Sequence, residues 1–244
     1  MASVMVQVWV GEVSNAVLQE ALTNCVTADK QRAYTDQEIS QAVSANLSLQ
    51  WLDDDRIEQD INIKVMGLYH GDLTNLKPAE KVDFLVVSAL PGDYSPTHGS
   101  LIGSLNNKGI SVATLAQNKA ADYEPELPCW ISQPITSTQP GIAFDRILLY
   151  EPADPVQQSA QHVQDIFTAL TRFVGNTTTQ TTVAMPLVST GSGGADPSAI
   201  LTAIFNGAKR TMVTDFLLAG LKIAVFEASQ IGSMTTIFEQ LKNQ

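Results

Sequence analysis

Residues 182–197 read TVAMPLVSTGSGGADP, an apolar run that leads into a glycine-rich turn and an Asp-Pro pair. The run Thr182–Val188 is apolar on both faces, which is typical of a central strand in a sheet covered on both sides. Asp196 suits the N-cap of the following helix, and Pro197 suits its first position. Because a proline cannot donate to a ladder, we expect Pro186 at the end of this strand or beside a bulge.

Short apolar runs alternate with segments of helical period on both sides of this stretch. The predicted strands are Ile61–Tyr69, Val82–Ala89, Cys129–Ile135, Ile142–Tyr150, Thr182–Val188 and Lys222–Glu227, and the predicted helices are Pro96–Asn106, Pro155–Val174 and Pro197–Leu218. Strands that alternate with helices indicate an α/β sheet with helices on both of its faces.

The first 58 residues carry a separate pattern. Alternate valines predict a strand at Val4–Val10, and a one-sided apolar spacing predicts a helix at Ala16–Val26. A second helix is predicted to begin with Asp36 as its N-cap. We therefore expect an N-terminal extension, residues 1–58, with a strand and two helices, packed on a main domain of residues 59–244.

The acidic run Asp53–Asp55 lies near the end of that extension. Together with Glu58 it has the oxygen donors of a metal site, but no histidine lies nearby in the sequence. Charge runs of this kind are usually solvated, so we expect a turn here and no bound metal.

Charge and composition exclude several classes of function. The 244 residues include 25 Asp and Glu against 14 Lys and Arg, so nucleic acid and anionic membranes are poor partners. Hydrophobic residues make up 44% of the chain, a globular balance. Cys25 and Cys129 lie far apart without metal-ligand spacing, and the first residues lack a signal-peptide pattern. We expect a cytoplasmic protein without a membrane anchor.

The glycine-rich turn Ser189–Gly194 has two interpretations. Missing Cβ atoms and a following helix N-terminus allow backbone N–H groups to converge on a phosphate. Alternatively, the glycines only supply positive φ angles in a flexible connection. The nucleotide fingerprints do not fit, because a Walker A motif needs a lysine and the dinucleotide motif needs glycine in place of Asp196.

A second loop, Ser88–Gly103, also follows an apolar strand and precedes a helix. Two such loops at the carboxyl ends of neighbouring strands flank a crevice, the usual ligand position in open α/β sheets. His98 with Asp93 and either Ser95 or Ser100 has the composition of a catalytic triad. Triads rarely come from one loop, however, and the G-x-S-x-G elbow is missing.

Residues 66–74 read MGLYHGDLT and residues 82–89 read VDFLVVSA. With the Ser-Thr-Gly-Ser-Gly-Gly turn, they resemble the macro-domain family. Its members have a strand ending Gly-Asp-Ile-Thr, a Val-Asp-Ala-Ile-Val-Asn-Ala-Ala-Asn strand before a glycine-rich loop, and a later strand ending Ser-Thr-Gly before a phosphate loop. The resemblance runs from about Ile61 to Ala228. It implies a three-layer α/β/α sandwich with a mixed central sheet, to which the N-terminal strand and two helices are added.

The resemblance also implies a site for ADP-ribose or a derivative. Asp72 would accept from the adenine amine, Phe226 would pack on adenine, and the turn after the later strand would hold the diphosphate. The implied ligand-binding residues are Asp72, Ser88, Ala89, His98, Gly99, Ser100, Ser189, Thr190, Gly191, Ser192, Gly193, Gly194 and Phe226. Two alternatives stay open, in which Asp72 caps the following turn and Phe226 belongs to the core.

The chain departs from hydrolytic macro domains at one motif. Where these carry Asn-Ala-Ala-Asn, the chain has Val87 and Leu90 in place of the two amides, and Ser100 and Leu101 occupy the neighbourhood of an expected acidic residue. We therefore expect binding without hydrolysis, no catalytic residue and no cofactor. The insert 91–96, which contains Tyr94, is predicted to close over the distal ribose or a group attached to it.

Three hypotheses for function follow from the resemblance. The first is a sensor or sequestering protein for ADP-ribose or an NAD-derived signal nucleotide, as in bacterial defence, read out through an effector protein or a homo-oligomer. The second is a hydrolase of ADP-ribosyl linkages or a related nucleotide derivative, with Asp93 or His98 as its acid or base. The third is an interaction module that has lost the ligand.

Overall fold

The computed structural model describes residues 48–59, 62–136, 141–154, 156, 159–175, 180–214 and 218–244. The predicted strand Val4–Val10, the predicted helix Ala16–Val26 and the helix predicted to begin at Asp36 lie outside these residues. They stay predictions. Within the described ranges, no helix combines the length and hydropathy needed to cross a membrane.

A mixed sheet forms the middle layer of the molecule. Its strands are β1 (Gln50–Gln59), β2 (Asn62–His70), β3 (Val82–Ser88), β4 (Lys119–Asp122), β5 (Cys129–Ser132), β6 (Phe144–Tyr150), β7 (Thr181–Pro186) and β8 (Leu218–Val225). They are ordered β1-β2-β8-β7-β3-β6-β5-β4. The neighbouring strands β2, β8, β7, β3 and β6 run parallel. On one side β1 pairs antiparallel with β2, and on the other side β5 pairs antiparallel with β6 and β4 with β5.

Helices cover the sheet on both faces. They are α1 (Leu101–Asn107), α2 (Val112–Leu115), α3 (Ser159–Val174), α4 (Pro197–Thr214) and α5 (Ile231–Lys242). Buried residues of α3, α4 and α5, among them Phe167, Phe205 and Phe238, share one apolar core with one face of the sheet. Leu105 of α1 and Val112 of α2 belong to the core on the opposite face. The predicted three-layer α/β/α sandwich with a mixed sheet is confirmed.

All six predicted strands are present, with ends shifted by up to four residues. Pro186 is the last residue of β7, as predicted, so its missing N–H falls where the ladder ends. The predicted helix at 96–106 begins only at Leu101, because Ser100 caps it and the preceding residues form a loop. The strands β1 and β4 and the helices α2 and α5 were not predicted.

The turn predicted at Asp53–Asp55 is wrong, because this acidic run lies inside the edge strand β1. Residues 50–58 of the predicted extension are thus part of the main sheet. Each carboxylate forms an ion pair with a cation, which offsets the repulsion among three successive acidic side chains. The pairs are Lys242–Asp53 at 2.6 Å, Arg56–Asp54 at 3.1 Å and Lys209–Asp55 at 3.6 Å. Two of these cations come from α4 and α5, so the ion pairs also fasten the helical layer to the edge of the sheet.

We predict that Lys242→Ala lowers the free energy of unfolding by about 1–3 kcal/mol, because it leaves a largely buried carboxylate without its cation. The side chain of Asp53 is only 14% exposed. Its Oδ2 atom has no hydrogen-bond partner among the described residues. Urea unfolding of both proteins measures the difference.

Lys81→Ala is the matched control. Lys81 pairs with Asp145 at 2.8 Å, but both side chains are about half exposed, so its loss should cost at most about 0.5 kcal/mol. Equal effects of the two substitutions would contradict the assigned role of Lys242.

Candidate functional site

The carboxyl ends of the five parallel strands meet at one edge of the sheet. Asp72 follows β2, Phe226 follows β8, the turn 187–195 follows β7, the loop 89–100 follows β3, and Glu151 follows β6. Ligands of open α/β sheets bind at this edge, so the loops that meet there form the candidate site.

A cavity of about 320 Å³ lies between the loops that follow β3 and β7. Nine of the predicted residues line it: Ser88, Ala89, His98, Gly99, Ser100, Ser189, Gly191, Ser192 and Gly193. The two loops are joined directly, because the Ser189 N–H donates to Ser88 Oγ at 3.0 Å. Leu90, Asp93 and Ile102 also line the cavity and were not predicted as ligand contacts.

The turn after β7 closes on itself. Gly194 N–H donates to the Gly191 carbonyl and Ala195 N–H to the Ser189 carbonyl, each at 3.0 Å. Ser189 and Gly194 have φ angles of 63° and 69°, so both ends of the turn are left-handed. The N–H groups of residues 191–193 form no hydrogen bond with a described residue. Gly191, Ser192 and Gly193 line the cavity, and successive backbone N–H groups in a turn of this kind can bind an anion.

The N-terminus of α4 is occupied by the chain itself. The Asp196 carboxylate accepts from Ala199 N–H at 3.0 Å and from Ser198 N–H at 3.4 Å, and Pro197 has no N–H. The sequence analysis allowed these N–H groups, at the helix N-terminus, to help bind a phosphate. The donors left for an anion are therefore those of residues 191–193, before the helix begins.

Thr190 and Gly194 shape this turn without lining the cavity. The Thr190 hydroxyl donates to the Leu187 carbonyl at 2.7 Å, which turns the side chain back onto the strand end. Gly194 supplies the left-handed residue that ends the turn. Both were predicted as ligand contacts, and the structure gives both a supporting position.

The loop after β3 is held against the first turn of α1. Ser100 Oγ accepts from Gly103 N–H at 2.9 Å and donates to the Thr97 carbonyl at 2.8 Å. A Cβ atom on Gly103 would lie 2.1 Å from the Thr97 carbonyl oxygen, so only glycine permits this approach. The contact fixes residues 97–100, which present His98 and Gly99 at the cavity.

The buried carboxylate of Glu151 anchors the other half of this loop. Glu151 is 4% exposed and follows β6 directly. Its Oε1 accepts from Gly92 N–H at 2.8 Å, and its Oε2 accepts from Trp130 Nε1–H at 2.8 Å and from the Tyr94 hydroxyl at 3.1 Å. Sequence reasoning missed Glu151, although an acidic residue at the end of a predicted apolar strand was a usable signal.

Tyr94 therefore faces the protein body. Its ring packs edge-on against Trp130 with 6.0 Å between centroids, and burial raises the pKa of Tyr94 to about 12. Glu151 and Trp130 hold the Tyr94 hydroxyl, and closure of the insert 91–96 over a distal ribose stays a prediction. Asp93 and Ser95 of the same insert line the cavity instead.

The catalytic arrangement considered for His98 is not formed. Asp93 Oδ1 accepts from Ser95 N–H at 3.0 Å, and Ser100 is engaged by Thr97 and Gly103. In the part of the chain that the structure describes, no hydrogen bond joins His98 to Asp93 or to either serine. The hydrogen bonds from Ser95 lower the pKa of the exposed Asp93 carboxyl, which makes it a poor proton donor.

Asp72 and Phe226 lie outside the cavity, at the ends of the neighbouring strands β2 and β8. Asp72 Oδ1 accepts from the N–H and hydroxyl of Thr74 at 2.8 and 2.7 Å, and Oδ2 accepts from Asn75 Nδ2 at 2.8 Å. Asp72 thus caps the following turn, the alternative left open above. Phe226 is 60% exposed, so its assignment to the core is wrong and its ring is available at the surface.

Neither a family model nor a curated protein sequence matches this chain. Solved macrodomain structures do match it. The Oceanobacillus iheyensis macrodomain with MES bound gives a TM-score of 0.59 at 12% identity, covering 78% of this chain and 98% of that one. A mutant of that macrodomain with ADPR also gives 0.59 at 12% identity, covering 79% of this chain and 100% of the other.

A third match comes from another organism. The Trypanosoma brucei macrodomain in complex with ADP-ribose gives a TM-score of 0.52 at 11% identity, covering 71% of this chain and 68% of that one. The chain therefore has the macrodomain fold, as its sequence motifs predicted.

We predict that Glu151→Ala lowers the free energy of unfolding by about 2–4 kcal/mol. The change leaves the donors of Gly92, Tyr94 and Trp130 without their shared acceptor, and an unmet buried donor costs about 1–3 kcal/mol. Glu151→Gln keeps one acceptor and should lose less. Urea unfolding measures both changes.

Glu126→Ala serves as the control, because Glu126 is a 72% exposed acid paired with Arg172. Its loss should change the free energy of unfolding by less than about 0.5 kcal/mol. The anchor assigned to Glu151 is refuted if Glu151→Ala unfolds at the same urea concentration as Glu126→Ala.

Proposed function

We propose that this protein binds ADP-ribose or an ADP-ribose-derived nucleotide without hydrolysing it. Two observations carry the proposal: residues 191–193 line the same cavity as the loop after β3, and their backbone N–H groups form no hydrogen bond with a described residue. Backbone donors of this kind hold phosphate oxygens without any lysine or arginine. The bound ADP-ribose in macrodomains of the same fold supports the choice of ligand.

The layout of the sheet edge supports a ligand longer than a mononucleotide. In the sheet, β8 and β7 lie between β2, which Asp72 follows, and β3, which ends at Ser88. Three strand spacings of about 4.8 Å separate the two positions by roughly 14 Å. The free N–H groups follow β7, between these ends. A diphosphate held there would direct adenosine toward Asp72 and Phe226 and the far ribose into the cavity.

Binding without hydrolysis is the better supported activity. Leu90 offers an apolar side chain to the cavity where hydrolytic relatives carry an amide, and Val87 is fully buried in the core. A general base must lie within hydrogen-bond reach of the proton that it removes and must be oriented toward it. No carboxylate among the described residues forms a hydrogen bond with His98, and Asp93 is held by Ser95.

The cellular role that we propose is that of a cytoplasmic sensor or sequestering protein for an NAD-derived signal nucleotide, as in bacterial defence. The resemblance of its motifs to macro domains supports this role. Sequestration requires only the site itself. A sensor would pass on binding through an effector protein or through a second copy of the chain.

The first test is a calorimetric comparison of ADP-ribose, ADP and AMP. ADP-ribose and ADP should bind at least about tenfold more tightly than AMP, because each charge-assisted hydrogen bond to the second phosphate contributes about 1.5–3 kcal/mol. Equal affinities for AMP and ADP would remove the case for a diphosphate at residues 191–193.

Two substitutions at one position separate backbone from side-chain recognition. Ser192→Pro removes one of the three N–H groups and should weaken ADP binding about tenfold or more, whereas Ser192→Ala keeps that N–H and should retain most of the affinity. A loss of similar size in both variants would mean that the hydroxyl, not the backbone, binds the ligand.

We also predict that the protein does not release ADP-ribose from a protein modified on acidic side chains. No described group is oriented to activate a water, so release measured by chromatography should match that in buffer alone. Turnover that disappears in His98→Ala would establish the hydrolase alternative instead.

A further inference from the structure

The loop after β3 gives one part of the cavity a different chemistry from the anion-binding turn. The apolar side chains that line the cavity are those of Ala89 and Leu90 of this loop and of Ile102 in α1, and Asp93 is the lining residue that carries a carboxylate. We call these four residues the distal pocket. Leu90 is 43% exposed, so its surface is available to a ligand.

The carboxylate of the distal pocket is fixed before any ligand arrives. Asp93 N–H donates to the Leu90 carbonyl at 2.9 Å, and Ser95 N–H donates to Asp93 Oδ1 at 3.0 Å. The neighbouring Gly92 N–H is held by the buried Glu151 at 2.8 Å. A turn tied at three points loses little conformational freedom on binding, so its charge acts on a ligand in a defined place.

The charges around the cavity restrict what can occupy the distal pocket. None of the described residues that line the cavity is a lysine or an arginine, and Asp93 forms no ion pair with a described cation. A phosphate beside Asp93 would therefore meet repulsion with no compensating charge. A cation there gains from the carboxylate, and a flat ring also covers the exposed apolar surface of Leu90.

We propose that the distal pocket binds a flat cationic ring attached to the far ribose, so that the protein prefers NAD⁺, whose nicotinamide ring is positively charged, over NADH, whose ring is neutral. The inference rests on the proposed function, because the diphosphate held at residues 191–193 directs the far end of the ligand toward Asp93. NAD⁺ and NADH share the ADP-ribose part, so their difference reports on the ring alone.

The size of the preference follows from the exposure of Asp93. A single charge pair in contact with solvent changes affinity by about three- to tenfold at low ionic strength. The Debye length falls from about 10 Å at 0.1 M salt to about 3 Å at 1 M, so the preference should shrink in concentrated salt. A preference that came from ring shape would not depend on salt in this way.

The experiment measures the affinities of NAD⁺, NADH and ADP by calorimetry at low salt for the wild type, Asp93→Asn and Asp145→Asn. Asp93→Asn keeps an acceptor for Ser95 N–H and removes only the charge. Asp145→Asn is the matched control, because it removes one negative charge at the exposed Lys81 pair, among residues that do not line the cavity. We expect NAD⁺ to bind about three- to tenfold more tightly than NADH in the wild type and in Asp145→Asn, and about equally in Asp93→Asn.

Every other outcome refutes either the distal pocket or the proposed function. A wild-type ratio near one, with ADP bound, refutes the distal pocket and leaves the proposed function standing. A preference for NAD⁺ that Asp93→Asn or 1 M salt does not reduce also refutes it, since another group then selects the ring. Failure of ADP and both dinucleotides to bind refutes the proposed function and this inference with it.

Discussion

The parallel ladder between β7 and β3 is the contact on which the site depends. Phe84 pairs with Val183 and Leu85 with Ala184, and all four residues are buried. Side chains alternate between the faces of a sheet, and Phe84 and Leu85 belong to the cores on opposite faces. A shift of the β3–β7 pairing by one residue would therefore turn each of them toward the wrong core. The two cores therefore fix the register. With the register fixed, the ends of β3 and β7 come level, and Ser189 N–H reaches Ser88 Oγ at 3.0 Å.

In the proposed function, the candidate site recognises charge in two ways, through the backbone for anions and through one side chain for cations. The helix N-terminus next to the turn is neutralised by Asp196, so the donors of residues 191–193 act without help from the first N–H groups of α4. With a net charge of −11, the chain attracts no polyanion over long range. Selection of a nucleotide then depends on short, directional hydrogen bonds in the turn and on the position of Asp93.

The six strands could be predicted because their residues form short apolar runs. The glycine-rich turn could be predicted from its composition. The edge strand β1 was missed because Asp53–Asp55 reads as a solvated run, and the cations that neutralise it come from residues distant in the sequence, such as Lys242. The Glu151 anchor was missed for the same reason, since its donors Gly92, Tyr94 and Trp130 lie in two segments distant from it in the sequence. By contrast, α5 could have been predicted from the helical spacing of Met234, Phe238 and Leu241.

The two ends of the site differ in how strongly they depend on residue identity. A turn that binds through backbone N–H groups needs a conformation, supplied here by left-handed Ser189 and Gly194, and many sequences can adopt it. A ribose contact made by amide side chains is lost with a single substitution. At 12% identity to the Oceanobacillus iheyensis macrodomain, this chain shares the fold. Leu90 and Asp93 line the cavity at the other end, where the proposed preference for a ligand depends on side-chain identity.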